Sequence, residues 1–195
     1  MTARIVVVGA SLGGLDALRT VLSGLAKPFP LPIAIVQHRG KENPGLLAKM
    51  LQKNTALIVT DAEHGDILTA ATVYVAPADY HLMVESDRCA LSLEAPVQHA
   101  RPAIDVLFES AADAYGADVI AVVLTGNNSD GAYGACRVKA AGGMVLVQDP
   151  DDCEAPMMPR TTMTAVEVDH VLKLEQISPF LMKHCRPEEN RYERR

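Results

Sequence analysis

The chain has 195 residues, about the size of one ordinary domain and short for two. With 18 Lys and Arg against 24 Asp and Glu, the formal net charge is −6, and this acidic balance argues against a nucleic-acid binder. No apolar run approaches the ~20 residues that a membrane-crossing helix needs.

Met1-Thr2-Ala3-Arg4 leads directly into Ile5-Val6-Val7-Val8 without a signal-peptide core or cleavage site, so the valines read as a buried strand. Gly9-Ala10-Ser11-Leu12-Gly13-Gly14 follows, and then Leu15, Leu18, Val21, Leu22 and Leu25 recur at helical spacing until Lys27-Pro28. Ile33 to Val36 is a second buried run ending in Gln37-His38. After Asn43-Pro44-Gly45, a helix is expected around Leu46, Leu47, Met50 and Leu51. Short strands are expected at 57–59 and 73–75. Residues 82–93, with a Ser86-Asp87-Arg88 turn, read as a hairpin added antiparallel to the main sheet.

Ile104, Leu107, Phe108, Ala111 and Tyr115 trace the apolar face of a helix that Arg101-Pro102 precedes. In that reading Pro102 starts the helix and Asp105 complements its dipole, while Arg101 is a candidate to face an acidic substrate. Val119 to Leu124 is a fully buried strand, an alanine-rich helix runs to Gly142-Gly143, and Met144 to Val147 is a further strand. Short helices are expected through Ala165 and from Ile177 to Met182. Buried strands separated by amphipathic helices predict an α/β fold: a doubly wound, mostly parallel sheet flanked by helices. The expected organisation is one domain over 1–185 and a charged, flexible tail over 186–195. Cys89, Cys136, Cys153 and Cys185 form no C-x-x-C pair and read as reduced thiols of a soluble, cytoplasmic protein.

In an open α/β sheet, ligands bind beyond the carboxyl ends of the strands. The first such loop contains G-x-S-x-G, which projects the Ser11 hydroxyl and turns the following backbone N–H toward an oxyanion. The same loop is compatible with a dinucleotide pyrophosphate or with a plain helix cap. The dinucleotide reading lacks an acidic residue at the end of the second strand, and the loop alone does not separate the three. A serine nucleophile needs a base oriented by a third group. His38 stands just past the second strand, and Asp130 lies in the Thr125-Gly126-Asn127-Asn128-Ser129-Asp130-Gly131-Ala132 loop past the strand at 119–124. Hydroxyl, imidazole and carboxylate thus fall at three strand ends of one sheet, which favours an enzyme. The spacings of the six histidines resemble no zinc site.

Taken together, the chain resembles the catalytic domain of the chemotaxis protein-glutamate methylesterases, the CheB family, over roughly residues 4 to 182. The resemblance rests on Val8 to Gly14, Val36-Gln37-His38, Val73 to Pro77, His81-Leu82, Arg101 to Phe108, and Leu124 to Ala132. It implies hydrolysis of glutamate methyl esters on the cytoplasmic helices of methyl-accepting chemoreceptors, with deamidation of receptor glutamines as an associated activity. Ser11 would be the nucleophile, His38 the general base and acid, and Asp130 the residue orienting His38. Backbone N–H groups near Leu12 and Asn127 would serve the oxyanion, and no metal or organic cofactor would be needed. Three departures stand out. Leu12 replaces a hydroxyl residue common in the family's chemotaxis members, and Asn127-Asn128 replaces the usual Met-Gly. The chain also begins at the first strand, where a receiver domain normally precedes, so a stand-alone form is expected, with constitutive activity, control by a separate regulatory protein and a non-chemotaxis signalling role as the open alternatives. The competing expectation is a non-catalytic module that binds receptors in a chemosensory system.

Overall fold

The computed structural model describes residues 3–39, 45–85 and 87–185, and every count below refers to those residues. The expected features at Asn43-Pro44, at Ser86 and in the 186–195 tail lie outside them.

The chain runs β1 (Ile5–Ala10), α1 (Gly14–Ser23), β2 (Ile33–Gln37), α2 (Leu46–Gln52), β3 (Ile58–Asp61) and β4 (Thr72–Val75). It continues through β5 (His81–Glu85), β6 (Arg88–Ser92), α3 (Ile104–Tyr115), β7 (Val119–Val123) and α4 (Ala132–Ala140). β8 (Met144–Gln148), α5 (Met157–Ala165), β9 (His170–Leu172) and α6 (Leu174–His184) complete it. Seven strands form one parallel sheet in the order β3-β4-β2-β1-β7-β8-β9.

Side chains alternate across β1, and each face has its own core. Val6, Val8, Ile33, Ile35, Ile120 and Val122 pack against Leu18, Leu22 and the α6 residues Ile177 and Leu181. On the opposite face, Val7, Ala34, Val119 and Ala121 meet Leu107, Phe108, Val138 and Met158. Burial on both faces is why these strands read as continuous apolar runs rather than alternating ones.

One expectation is corrected, and one strand is added. The hairpin β5–β6 is a separate two-stranded sheet, not an addition to the main one. Its inward residues Leu82, Val84 and Cys89 join the α3 side of the core, and Ser110 of α3 accepts the Val84 N–H at 3.0 Å. Packing on a helix face thus competes successfully with pairing at a sheet edge. The main sheet ends in β3 on one side and in β9 on the other, and β9 is a strand that the sequence pattern did not announce. Its residues are exposed or half-buried, so it lacks the apolar run that marks a strand.

Winding proceeds from β1 toward β2 on one side and from β1 toward β7 on the other. The loops after β1 and β7 therefore diverge, opening a crevice at the switch point where ligands of such sheets bind.

Candidate active site

Ser11 leaves β1 on a turn that two backbone bonds define: its N–H donates to the Thr125 carbonyl, and its own carbonyl accepts the Gly14 N–H. The Thr125 hydroxyl donates to the Leu12 carbonyl at 3.0 Å and accepts the Ala155 N–H at 2.9 Å, joining the loops after β1, β7 and β8. Gly126 is required where these loops cross. A Cβ there would collide with the Met158 sulfur and approach the Ser11 Cβ to 2.8 Å.

His38 follows β2, and its N–H donates to the Ala10 carbonyl. Its Nδ1 lies 3.2 Å from Ser11 Oγ and its Nε2 lies 2.7 Å from Asp130 Oδ2. An ionised carboxylate only accepts, so Nε2 carries the ring proton and Nδ1 presents its lone pair to the hydroxyl. The ring is used in the opposite sense to the chymotrypsin arrangement, in which Nε2 faces the serine. The three residues expected from strand ends are thus brought into one hydrogen-bonded chain.

Asp130 is buried with 1% exposure, and α3 supplies the donors that hold its charge there. The Ile104 N–H donates to Oδ2 at 2.7 Å and the Asp105 N–H to Oδ1 at 2.8 Å. Ala103 offers α3 no side-chain cap, so a carboxylate remote in the chain caps it. Asp105 returns the arrangement. It stands in the first turn of its own helix, as expected, and in addition accepts the N–H groups of Gly131 and Gly134 at 2.9 and 2.8 Å at the start of α4. Burial, aided by the nearby Asp130 charge and opposed by those N–H donors, pushes the Asp105 carboxyl up to about 6.

Two further side chains belong to this site: Gln37, to which the sequence reading gives no role, and Asn128, which it marks only as a departure from the family's usual Met-Gly. Gln37 Nε2 donates to the Ser11 carbonyl at 2.7 Å and to the His38 carbonyl at 2.9 Å, tying the Ser11 loop to the imidazole segment. Asn128 Nδ2 lies 3.0 Å from His38 Nδ1 and 3.3 Å from Ser11 Oγ. Its Oδ1 accepts the Asp130 N–H at 3.0 Å, which fixes the amide with its nitrogen toward the imidazole. A polar residue two before the aspartate was the available signal, because Asn and Asp side chains favour such local backbone bonds.

The remaining expected residues are placed differently. Leu12 is 54% exposed, and its backbone N–H has no acceptor among the described residues. Asn127 is exposed, and its N–H likewise has none. Arg101 does not contact Ser11. Its guanidinium holds Asp79 at 2.7 Å and the carbonyls of Leu93 and Glu94 at 2.9 Å. It lines a cleft of about 610 Å³ with His38, Arg39, Asp79, Gln98 and Asn128, and the paired Asp79 removes the bare positive charge that an acidic ligand would meet.

Comparison with known proteins agrees with this architecture. A family model described as CheB methylesterase matches residues 6–181. A Leptospira interrogans protein, provisionally named protein-glutamate methylesterase/protein-glutamine glutaminase, is 41% identical over 91% of this chain and 93% of its own length. The Thermotoga maritima protein-glutamate methylesterase/protein-glutamine glutaminase is 34% identical over 94% of this chain. That match spans only 54% of the relative, so the chain corresponds to about half of it. The crystal structure of the Thermotoga maritima CheB methylesterase catalytic domain superposes with a TM-score of 0.90 at 34% identity, covering 94% of this chain and 99% of that one.

Proposed function

The chain belongs to the CheB methylesterase family, and on that premise we propose that Ser11, His38 and Asp130 hydrolyse glutamate methyl esters on the cytoplasmic helices of chemoreceptors. The observation that carries this reading is the His38 ring spanning Ser11 Oγ at 3.2 Å and Asp130 Oδ2 at 2.7 Å. Ser11 Oγ attacks the ester carbonyl while His38 Nδ1 takes its proton. Asp130 holds the Nε2–H and stabilises the imidazolium that forms. The backbone N–H groups of Leu12 and Asn127, which have no acceptor among the described residues, are the donors for the oxyanion. The C–OCH₃ bond then breaks, and the methoxy oxygen leaves as methanol with the proton from Nδ1. A water deprotonated by Nδ1 attacks the acyl-enzyme, releasing glutamate and restoring Ser11. No helix among the described residues is long and apolar enough to cross a membrane, which suits an enzyme that meets its receptor from solution.

Methanol release from a methylated receptor cytoplasmic fragment tests the proposal. Ser11→Ala is expected to lower turnover by ~10⁴-fold or more, the usual cost of losing a triad member. Equal release by wild type and variant, or receptor binding without any turnover, overturns the reading.

A further inference from the structure

We propose that Asn128 is a specificity-determining residue that favours an alcohol over an amine as leaving group, so that this site hydrolyses methyl esters in preference to deamidating glutamine. The inference rests on the reaction proposed above and concerns what departs from the tetrahedral intermediate.

The leaving atom is bonded to the same carbon as Ser11 Oγ and must receive its proton from His38 Nδ1, so it passes through the gap beside both. Asn128 Nδ2 borders that gap, 3.3 Å from Oγ and 3.0 Å from Nδ1. The amide cannot turn its oxygen inward without giving up the Asp130 N–H that Oδ1 accepts. Asn128 therefore presents donors, and only donors, to the leaving group.

A methoxy oxygen has two lone pairs. One accepts the proton from Nδ1 as the C–O bond breaks, and the other accepts an N–H from Asn128. The amino nitrogen of a glutamine-derived intermediate has a single lone pair and two hydrogens of its own. That lone pair must take the proton from Nδ1 before the C–N bond breaks and ammonia departs. Nothing on the nitrogen then accepts from Asn128, and its N–H groups face another donor. Leaving a built donor unpaired in a confined site is the kind of mismatch that discriminates strongly between isosteric substrates.

The same geometry governs the resting enzyme. Nδ1 has one lone pair and two donors within reach, Ser11 Oγ–H at 3.2 Å and Asn128 N–H at 3.0 Å. An ester oxygen that draws the Asn128 donor away leaves the lone pair to the serine. An amine does not.

The test uses the full chain and two forms of one receptor cytoplasmic fragment, one with a glutamate methyl ester and one with glutamine at the same position. Methanol and ammonia release give kcat/KM for each, and their ratio cancels any damage to the shared acylation machinery. Asn128→Asp keeps an oxygen for the Asp130 N–H and turns an acceptor toward the leaving atom, while Asn128→Gly removes the side chain altogether. The ester-to-amide ratio is expected to fall at least tenfold in Asn128→Asp and by a smaller factor in Asn128→Gly. Where the wild type releases no measurable ammonia, ammonia release by Asn128→Asp is the expected result, and its absence overturns the inference. An unchanged ratio overturns it too, as does loss of both activities in variants whose thermal unfolding is intact, since Asn128 would then belong to the common machinery. Asn128→Gly needs no side-chain fit and keeps the ratio measurable if the aspartate variant fails to fold. A wild type that releases neither product instead brings down the methylesterase reading itself.

Discussion

Asp130 and Asp105 exchange caps between two helices. The first closes the start of α3 and the second closes the start of α4. The carboxylate bonded to His38 is therefore positioned by the same bonds that fix how α3 meets α4, and moving either aspartate moves His38's partner. The exchange has a measurable pH signature. Asp105 sits at 2% exposure, and its carboxyl is raised from 3.8 to about 6 chiefly by burial. An acid whose folded-state value is raised holds its proton more tightly when folded. Its contribution to stability is complete below the unfolded value and is lost as the pH climbs through the folded one. Wild type should therefore lose on the order of 2 kcal/mol relative to Asp105→Asn between pH 4 and pH 7. The asparagine oxygen can still accept the Gly131 and Gly134 N–H groups, so the variant should fold. Urea denaturation of both proteins across that range measures the difference, and stability curves that stay parallel contradict the assignment.

At the scale of elements, what could be read in sequence followed burial. β1, β2 and β7 are buried at every position, so their apolar runs are unmistakable, and Ser11, His38 and Asp130 stand out as candidates because each follows such a run. Gln37 has no role legible in sequence and Asn128 is legible only as a departure from Met-Gly, because their work is done on backbone and imidazole atoms that only the closed sheet brings near. Asp105 carried a partial signal. It lies three and seven residues before Phe108 and Ala112 on the buried stripe of α3, where a carboxylate without a partner would be costly. The hairpin was recognised but misplaced, because alternation reveals that a strand has an inner face and not which element covers it. Its anchor is now explicit: Ser110 Oγ accepts the Val84 N–H at 3.0 Å and donates to the Leu107 carbonyl at 3.0 Å. Ser110→Ala strands a buried N–H and should cost about 1–3 kcal/mol. The urea midpoint should fall with an unchanged slope, since the surface exposed on unfolding stays the same. A midpoint within error of wild type would show that the hairpin is held by its apolar residues alone.

Over the whole molecule, the sheet separates two cores, yet the site draws one residue each from the loops after β1, β2 and β7. Those loops keep their spacing only if both faces of the sheet remain packed, so opening is expected to be global rather than confined to one side. The cysteines can report this. Cys89 belongs to the core on the α3 side and Cys185 to the core on the α1 and α6 side. Burial pushes both thiols, and that of Cys153, up to about 12. At pH 8 only about one such thiol in 10⁴ is the reactive thiolate, and the buried sulfurs are shielded as well. Cys136, half-buried on α4, is accessible without unfolding. Native-state alkylation followed by peptide mass spectrometry should therefore label Cys136 first, with Cys89 and Cys185 at least 100-fold slower and at matching rates. Matching rates are the informative part, because two thiols on opposite faces share a rate only when a single opening exposes both. Labelling of Cys89 well ahead of Cys185 would instead show that the hairpin and its face of α3 open independently, and the loops that carry Ser11, His38 and Asp130 could then not depend on the two cores together.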